Sequence, residues 1–298
     1  MKYSKLGKSD LEVSKIGFGC MSLKGTVTDN EPLIKRALEL GINYFDTADL
    51  YEKGENEKLI GTLLKAQRQE VIIATKVGNQ WKADGSGWDW NPTKDYIIEA
   101  VEGSLKRLQT DYIDLYQLHG GTIEDPIDET IEAFETLKKQ GKIREYGISS
   151  IRPNVIREYV KKSDIVSVMM QYSLLDRRPE EECFKLLKDH DISVVTRGSI
   201  AQGLLVDKPA KEYLDWSPAS VAHAAELLKE VTGEDGSAAQ VAISYVLQQQ
   251  PVDSAVIGIR TLEQLEALAG AESLPLLTSE KLERLAAGIR PAYYSAHR

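Results

Sequence analysis

The chain has 298 residues, of which 42% are hydrophobic and 28% are charged, as in ordinary soluble globular proteins. Its formal net charge of −9 argues against a nucleic acid or an anionic membrane surface as a partner. The first seven residues lack the apolar core of a signal peptide and no stretch reaches the length of a membrane span, so we expect a cytoplasmic protein. Because the length suits one α/β barrel and no linker interrupts the sequence, we expect residues 1–298 to form a single domain.

Short, continuous apolar runs alternate along the chain with longer amphipathic segments. Residues 3–6 and 11–13, joined by a Gly-Lys-Ser-Asp turn, predict a hairpin before this alternation begins. The apolar runs predict buried strands at residues 16–18, 43–45, 71–75, 113–118, 145–148, 166–170, 193–196 and 254–257. Helical periodicity predicts helices at residues 30–40, 93–108, 128–140, 179–189, 219–231 and 261–269.

The residues at the ends of the predicted helices agree with these assignments. Gly41 and Gly141 follow two of them as C-terminal caps, and Thr93 and Asp128 are predicted N-caps. Eight strands that alternate with helices predict an α/β fold, namely a (β/α)8 TIM barrel with an N-terminal β-hairpin cap and long loops at the C-terminal face. An open, doubly wound sheet is the alternative, weakened because no predicted strand is followed by Gly-x-Gly-x-x-Gly.

Four polar residues follow three successive predicted strands. Asp46 ends the second strand, Tyr51 lies five residues further on, and Lys76 and His119 end the third and fourth strands. Because parallel strands of a barrel end on one face, these side chains are expected to meet at its mouth. Taken singly, each has an ordinary structural explanation, such as a surface ion pair or rim packing. Their joint position favours catalysis.

The four side chains are the groups needed to protonate a carbonyl oxygen as hydride reaches the carbon. Tyr51 is the predicted general acid, and a positive charge on Lys76 beside it would favour the phenolate that remains. Asp46 would pair with Lys76 and limit the cost of burying its charge. His119 would donate a hydrogen bond to the substrate oxygen. The two cysteines and four histidines show no metal-ligand spacing, so no metal site is expected.

These residues and their neighbours resemble the aldo-keto reductase superfamily, in particular bacterial members near its general-stress and potassium-channel β-subunit-like branches. The resemblance covers nearly the whole chain in the expected order. Its motifs are GFGCM at 17–21, NYFDTADLY at 43–51, ATK at 74–76, DYIDLYQLH at 111–119, KIREYGIS at 142–149, RGSIAQGLL at 197–205 and IGIRTLEQL at 257–265.

The resemblance implies a barrel that binds NADP(H) in an extended pose, with Asp46, Tyr51, Lys76 and His119 as the catalytic tetrad. It also implies that a longer series of residues, mostly in the loops at the barrel mouth, binds the cofactor. They are Gly19, Cys20, Met21, Asp46, Ser149, Gln171, Arg197, Gly198, Ser199, Gln202, Gly203, Leu204, Gly258, Arg260 and Gln264.

Within that set, the resemblance assigns Ser149 and Gln171 to the nicotinamide carboxamide and residues 198–204 to the pyrophosphate. It assigns Gly258, Arg260 and Gln264 to the adenosine 2′-phosphate, for which an arginine fork is well suited. Three positions depart from the family pattern. Ser150 replaces a common Asn, Arg197 replaces a Tyr that stacks on the nicotinamide, and Leu268 replaces an adenine-contacting Asn.

The leading hypothesis is therefore NADPH-dependent reduction of aldehydes or ketones to alcohols by a monomer whose partner is a small-molecule carbonyl substrate. Aromatic residues in the mouth loops favour apolar or aromatic aldehydes. They are Trp81, Trp88, Trp90, Tyr293 and Tyr294. Two alternatives are a cofactor-sensing regulatory subunit with little turnover and an unrelated barrel isomerase with a phosphate-bearing substrate.

Overall fold

A computed structural model describes residues 1–233, 236–268, 270–271 and 277–298. The strands in these ranges are β1 (Tyr3–Lys5), β2 (Glu12–Ser14), β3 (Ile16–Gly19), β4 (Tyr44–Asp46), β5 (Ile72–Val77), β6 (Asn79–Trp81), β7 (Trp88–Trp90), β8 (Ile113–Leu118), β9 (Ile143–Ser149), β10 (Ser167–Gln171), β11 (Ser193–Arg197) and β12 (Val252–Gly258). The helices are α1 (Val27–Glu39), α2 (Glu55–Leu63), α3 (Lys94–Leu108), α4 (Ile127–Lys139), α5 (Pro153–Lys162), α6 (Cys183–Asp189), α7 (Pro218–Thr232), α8 (Ala238–Leu247), α9 (Leu262–Leu268) and α10 (Ser279–Gly288).

Eight of these strands close into a parallel barrel in the order β3-β4-β5-β8-β9-β10-β11-β12, and β12 pairs with β3. Strands such as β5 and β8 are buried at every position, because side chains on one face fill the barrel and those on the other meet the helices. That two-sided burial explains why they appear in the sequence as continuous apolar runs. The predicted (β/α)8 barrel is confirmed.

The antiparallel hairpin β1–β2 closes the bottom of the barrel, as predicted. Its apolar side chains Leu6, Leu11 and Val13 are buried in one cluster with residues of the barrel interior. The interior members of that cluster are Tyr44, Ile72, Ala74, Leu115, Val166, Met169, Val195 and Val256. The hairpin therefore plugs the end of the barrel opposite to the polar strand ends.

Several local predictions need correction. Asp128 is not an N-cap, because α4 begins at Ile127 and Pro126 takes the cap position. The helix predicted at 179–189 is interrupted, since a short 3-10 turn precedes α6. Thr93 does occupy the N-cap of α3, but its hydroxyl donates to Asn91 instead of capping the helix. Residue 269, at the end of another predicted helix, lies outside the described residues.

Other elements were not predicted. They are the helices α2, α5, α8 and α10 and the antiparallel hairpin β6–β7 that follows the third barrel strand. Among the helices of the described ranges, none is both long and apolar enough to cross a bilayer.

Candidate active site

The strand register gathers the predicted site on one rim of the barrel. Gly258 at the end of β12 pairs with Gly19 on β3, and Gly19 pairs with Asp46 on β4. Further around the rim, Lys76 on β5 pairs with Gln117 on β8. The first residue beyond β8 is His119, whose backbone N–H donates to the carbonyl of Val77 at 2.8 Å. The four tetrad residues therefore belong to adjacent positions of the barrel mouth.

Lys76 is the centre of the polar cluster. Its Nζ lies 2.6 Å from Asp46 Oδ1, 2.7 Å from the carbonyl oxygen of Thr47 and 3.4 Å from Tyr51 Oη. Three acceptors therefore surround an ammonium group that has three protons to donate. Lys76 is 1% exposed and Asp46 4% exposed, so the pair is removed from water.

Burial and charge act in opposite directions on this pair. Burial disfavours the charged form of Lys76, but Asp46 and Tyr51 outweigh it and raise the lysine pKa above its ordinary value. Burial raises the pKa of Asp46, and Lys76 and Gln117 oppose that rise by charge and hydrogen bonding. The pKa of Asp46 stays raised despite these partners, whereas the three acceptors stabilise the charged form of Lys76, which is a fixed positive charge beside Tyr51.

Tyr51 and His119 face the same space above Lys76. Their rings meet edge to face, with centroids 5.9 Å apart and an interplanar angle of 84°. The turn that carries Tyr51 is unusual, because Glu52 and Lys53 both have left-handed backbones, with φ of 51° and 57°. Consecutive non-glycine residues in that region store strain, and such strain concentrates at functional sites.

His119 is neutral at physiological pH. Burial lowers its pKa to about 3, and the positive charges of Lys76 and Arg197 act in the same direction. Its Nδ1 atom is buried and has no hydrogen-bond partner among the described residues. The imidazole therefore has one N–H donor and one acceptor and carries no charge of its own.

The residues predicted at the nicotinamide lie together at the ends of β9, β10 and β11. Gln171 and Arg197 are register partners, and Arg197 Nη1 donates to Gln171 Oε1 at 3.0 Å. A side chain at Gly198 would come within 3.4 Å of Gln171 Cγ, so the backbone there lies against the glutamine. Ser149 is half-buried on the adjacent strand β9. Ser150 is buried and its hydroxyl accepts from the N–H of Arg152.

The loop predicted along the pyrophosphate has a strained backbone. Ala201 and Gln202 have positive φ angles of 47° and 60°, between Gly198 and Gly203 at 71° and 90°. Ser199 is buried. Its hydroxyl lies 3.2 Å from that of Thr196, and the side chain of Leu204 is buried as well. Gln202 is thus the exposed side chain of this turn.

The two loops predicted for the ends of the cofactor are adjacent. The Ser22 hydroxyl lies 2.9 Å from the carbonyl oxygen of Gly19 and 2.8 Å from that of Ile259, which links the loop after β3 to the loop after β12. In the second loop, Gln264 Oε1 accepts from the backbone N–H of Arg260 at 2.9 Å. The Arg260 side chain is exposed, whereas Leu268 is buried in the hydrophobic core.

Cys20 and Met21, also predicted at the cofactor, differ in exposure. The Cys20 side chain is fully buried, its thiol donates to the Phe18 carbonyl, and burial raises its pKa well above the ordinary value. Any contact from Cys20 to a cofactor would therefore come from its backbone. Met21 is 61% exposed at the mouth.

Sequence reasoning missed two groups that complete the tetrad. Gln117 Nε2 donates to Asp46 Oδ2 at 3.4 Å, and the Thr47 carbonyl accepts from Lys76. The signal for Gln117 was available, since it precedes His119 by two positions and so shares its side of the strand. No side-chain pattern identifies the Thr47 carbonyl.

Comparison with known proteins decides the family. Residues 15–289 match the model of the Aldo/keto reductase family. The chain belongs to the aldo/keto reductase family. It is 50% identical over 307 residues to an uncharacterised oxidoreductase, YqkF, of Bacillus subtilis (strain 168), with all of both chains covered.

A solved structure and a second relative extend the comparison. The chain is 51% identical to the holo form of aldo-keto reductase AKR11C1 from Bacillus halodurans, with a TM-score of 0.94. The match covers 100% of this chain and 99% of that one. It is also 33% identical over 234 residues to the NADH-specific methylglyoxal reductase of Escherichia coli (strain K12), covering 72% of each protein. The chain is thus an oxidoreductase of a family that uses a nicotinamide cofactor.

The residues at the mouth fit such a cofactor. A side chain at Gly19 would come 3.1 Å from the Ile257 carbonyl, so the glycine allows β3 to lie close to β12 at the point where the rim turns into its loop. Beneath the rim, the buried atoms His119 Nδ1 and Gln117 Oε1 have no hydrogen-bond partner among the described residues. The candidate cofactor site is therefore a rim with polar groups and glycines above a closed apolar barrel.

Proposed function

We propose that this protein reduces an aldehyde or ketone to the alcohol with NADPH, and that Tyr51 is the general acid. The observation that carries the proposal is the position of Lys76, whose ammonium contacts Asp46 at 2.6 Å and the Tyr51 hydroxyl at 3.4 Å in a buried site. A structural ion pair needs no phenol beside it at the barrel mouth. A phenol that acts as a proton donor, by contrast, needs a nearby positive charge to stabilise the phenolate that it leaves.

The mechanism follows from these contacts. The bound nicotinamide cofactor supplies hydride to the carbonyl carbon, and negative charge then grows on the oxygen. Tyr51 gives its hydroxyl proton to that oxygen, and the Lys76 charge stabilises the phenolate left behind. Neutral His119 donates a hydrogen bond to the same oxygen and orients it. In the reverse direction the Tyr51 phenolate accepts the proton.

Asp46 acts on Lys76 and not on the substrate. Its carboxylate contacts the ammonium at 2.6 Å and balances its charge in an almost wholly buried position. Gln117 holds the second carboxylate oxygen. This preorganisation means that no solvent has to reorient when the phenolate forms.

The choice of NADPH over NADH rests on Arg260. Arg260 lies in the loop after β12, and its guanidinium is exposed. Its backbone N–H donates to Gln264, which fixes the backbone position from which the side chain extends. A planar, permanently charged fork suits a phosphate monoester. Because one relative named above is NADH-specific, the preference for NADPH is the first part of the proposal to test.

The substrate is proposed to be a small carbonyl compound with an apolar or aromatic group. Trp90 lies against Gly120, the residue after His119, since a side chain at Gly120 would come 3.4 Å from its ring. The Trp90 indole is fixed by a 3.0 Å hydrogen bond to Asp125. On the outer part of the same hairpin, Trp81 stacks with Lys53, and Trp88 is 47% exposed. These rings form one wall of the mouth.

The test is consumption of NADPH or NADH, followed by absorbance, with a panel of aromatic, aliphatic and dicarbonyl aldehydes. Turnover that prefers NADPH and forms one alcohol per cofactor oxidised supports the proposal. Tight NADPH binding without turnover across the panel would favour the cofactor-sensing alternative. The Tyr51→Phe variant is the matched control, because it removes the proposed acid and keeps the ring.

A further inference from the structure

Gln171 lies between a donor on one side and two acceptors on the other. Arg197 Nη1 donates to its Oε1 at 3.0 Å. Its Nε2 donates to Asp176 Oδ2 at 2.9 Å and to the hydroxyl of Tyr213 at 3.1 Å. The amide is thus held from three directions by three separate segments of the chain, namely the end of β11, the turn after β10 and the segment that precedes α7.

The chemistry of these neighbours defines which way the amide points. A carboxylate such as Asp176 only accepts hydrogen bonds, and a guanidinium such as that of Arg197 only donates them. An amide flipped by 180° would set its NH2 against the guanidinium and its oxygen against the carboxylate, with both contacts repulsive. Both protons of Gln171 Nε2 are already used, so the remaining lone pair of Oε1 is what Gln171 can offer to a ligand.

Asp176 is well placed to impose this orientation. It is fully buried, in a tight turn whose backbone pairs it with Ser173. Arg178 clamps the carboxylate with a two-pronged contact, Nε to Oδ1 and Nη2 to Oδ2, each at 2.7 Å. The guanidinium of Arg178 in turn stacks on the buried ring of Tyr294, 5.1 Å from its centroid. The carboxylate can neither rotate nor become solvated without breaking these contacts.

We propose that Asp176 is a positioning residue that fixes the Gln171 amide with its carbonyl oxygen toward the barrel mouth, so that Gln171 accepts a hydrogen bond from the NH2 of the nicotinamide carboxamide. This inference rests on the proposed function, because it requires the nicotinamide at the end of β10. Asp176 itself touches neither cofactor nor substrate. It acts through Gln171.

The experiment compares the binding of two reduced cofactors by calorimetry. One is NADPH, and the other is its 3-acetylpyridine analogue, in which a methyl ketone replaces the carboxamide and no NH2 remains. One hydrogen bond corresponds to about a 5- to 10-fold preference of the wild-type protein for NADPH. Asp176→Asn places an NH2 group opposite Gln171 and permits the flip, so the preference is expected to fall below about 2-fold. Asp176→Glu keeps an acceptor-only group and should therefore retain part of the preference for NADPH.

A double-mutant cycle separates positioning from a general structural effect. Gln171→Ala should abolish the preference, and Asp176→Asn added to it should change the preference no further. Tyr213→Phe leaves the Asp176 contact in place and should keep most of the preference. Asp189→Asn, which removes an exposed carboxylate paired with Lys185, is the control and should behave as wild type.

The outcomes distinguish this inference from the proposed function. A wild-type protein that binds NADPH but does not prefer it to the analogue overturns the inference alone, and so does Asp176→Asn with the wild-type preference. A wild-type protein that binds neither cofactor overturns both. If Asp176→Asn does not fold, Arg178→Gln loosens the same carboxylate. It should lower the preference, and an unchanged preference there also contradicts the proposal.

Discussion

The ammonium of Lys76 lies 2.6 Å from the Asp46 carboxylate, and both side chains are almost wholly buried at the end of adjacent barrel strands. Removal of one partner would leave the other as an uncompensated charge away from water, which costs far more than the loss of a surface pair. The contact thus ties the chemistry of the site to the stability of the barrel, and the two can be measured separately.

Replacement of Tyr51 by phenylalanine tests the proton donor. We expect kcat/KM for carbonyl reduction to fall by about 100- to 10,000-fold, because the acid is lost while the ring packing against His119 remains. The dissociation constant of NADPH should change by less than about 3-fold, since the lost hydroxyl belongs to the chemical step. Retained turnover would remove Tyr51 as the acid.

Asp46→Asn tests the buried pair. The free energy of unfolding in urea should fall by about 3–5 kcal/mol, because Lys76 keeps its charge and loses its counterion. Glu145→Gln is the control, since it breaks an equally short, 2.6 Å pair with Lys138 that is partly exposed. That change should cost about 1 kcal/mol or less. Equal losses in the two variants would show that Lys76 is neutral or solvated.

Arg260→Ala tests the choice of cofactor. The dissociation constant of NADPH should rise by about 10- to 100-fold, as expected for the loss of a charged contact to phosphate, while that of NADH should change little. Fluorescence titration with each cofactor measures both. Arg284→Ala, which removes another exposed arginine, is the control. An equal loss for NADPH and NADH would mean that Arg260 does not read the 2′-phosphate.

Arg197 predicts a preference for the reduced cofactor. A guanidinium over the nicotinamide ring tolerates the neutral reduced form better than the cationic oxidised form. We expect NADPH to bind at least about 3-fold more tightly than NADP⁺. Arg197→Tyr should narrow the difference, because an aromatic face attracts a cationic ring. Equal or reversed affinities in the wild-type protein would contradict this.

Asp49 predicts a pH dependence of stability. Burial raises its pKa from 3.8 to about 8, and the nearby carboxylate of Glu57 adds to the rise, while Arg107, the Leu50 backbone and Lys76 oppose it. In the folded protein Asp49 therefore holds a proton that the unfolded chain releases above about pH 4, so its contribution to stability is lost as pH rises from about 4 to 8.

Asp49→Asn removes that titration. Its stability relative to wild type should increase with pH, by at least about 1 kcal/mol between pH 5 and pH 8, which urea unfolding at the two pH values measures. The exposed Asp84→Asn is the control and should show no such trend in this interval. A relative stability of Asp49→Asn that stays constant over the interval would show that Asp49 is ionised in the folded state.

The barrel could be predicted because its strands are buried on both faces. Residues 113–118 were predicted and found as β8 with the same bounds. Two of the four missed helices, α2 and α8, lack the usual two-faced pattern, whereas α5 does have one, with Val155, Ile156 and Tyr159 buried. In α8, seven of ten residues are buried and the helix is apolar on most sides, whereas α2 buries Asn56 and Glu57. The three-residue strands of β6–β7 are too short to show a period.

The candidate site, too, could be predicted from the sequence only in part. The tetrad was accessible from sequence because strand ends in a parallel barrel converge, whatever the loops do. The orientation of Gln171 was not, since it depends on a carboxylate five positions further on that a tight turn brings back to it. The raised pKa of Asp49 was equally hidden, because it depends first on burial in the folded chain and then on charged side chains of α2 and α3.

The hairpin β6–β7 forms a two-stranded sheet of its own. Its strands pair with each other and with no barrel strand, and it returns to the barrel where Asn91 donates to the carbonyl of Gly78 at 2.7 Å. The proton-transfer groups belong to the barrel strands and the loops that follow them, whereas Trp81, Trp88 and Trp90 belong to the hairpin. Changes in the segment between Gly78 and Asn91 that keep the Trp90–Asp125 contact are therefore expected to alter the substrate range, in evolution or by engineering, while the acid–base groups stay in place.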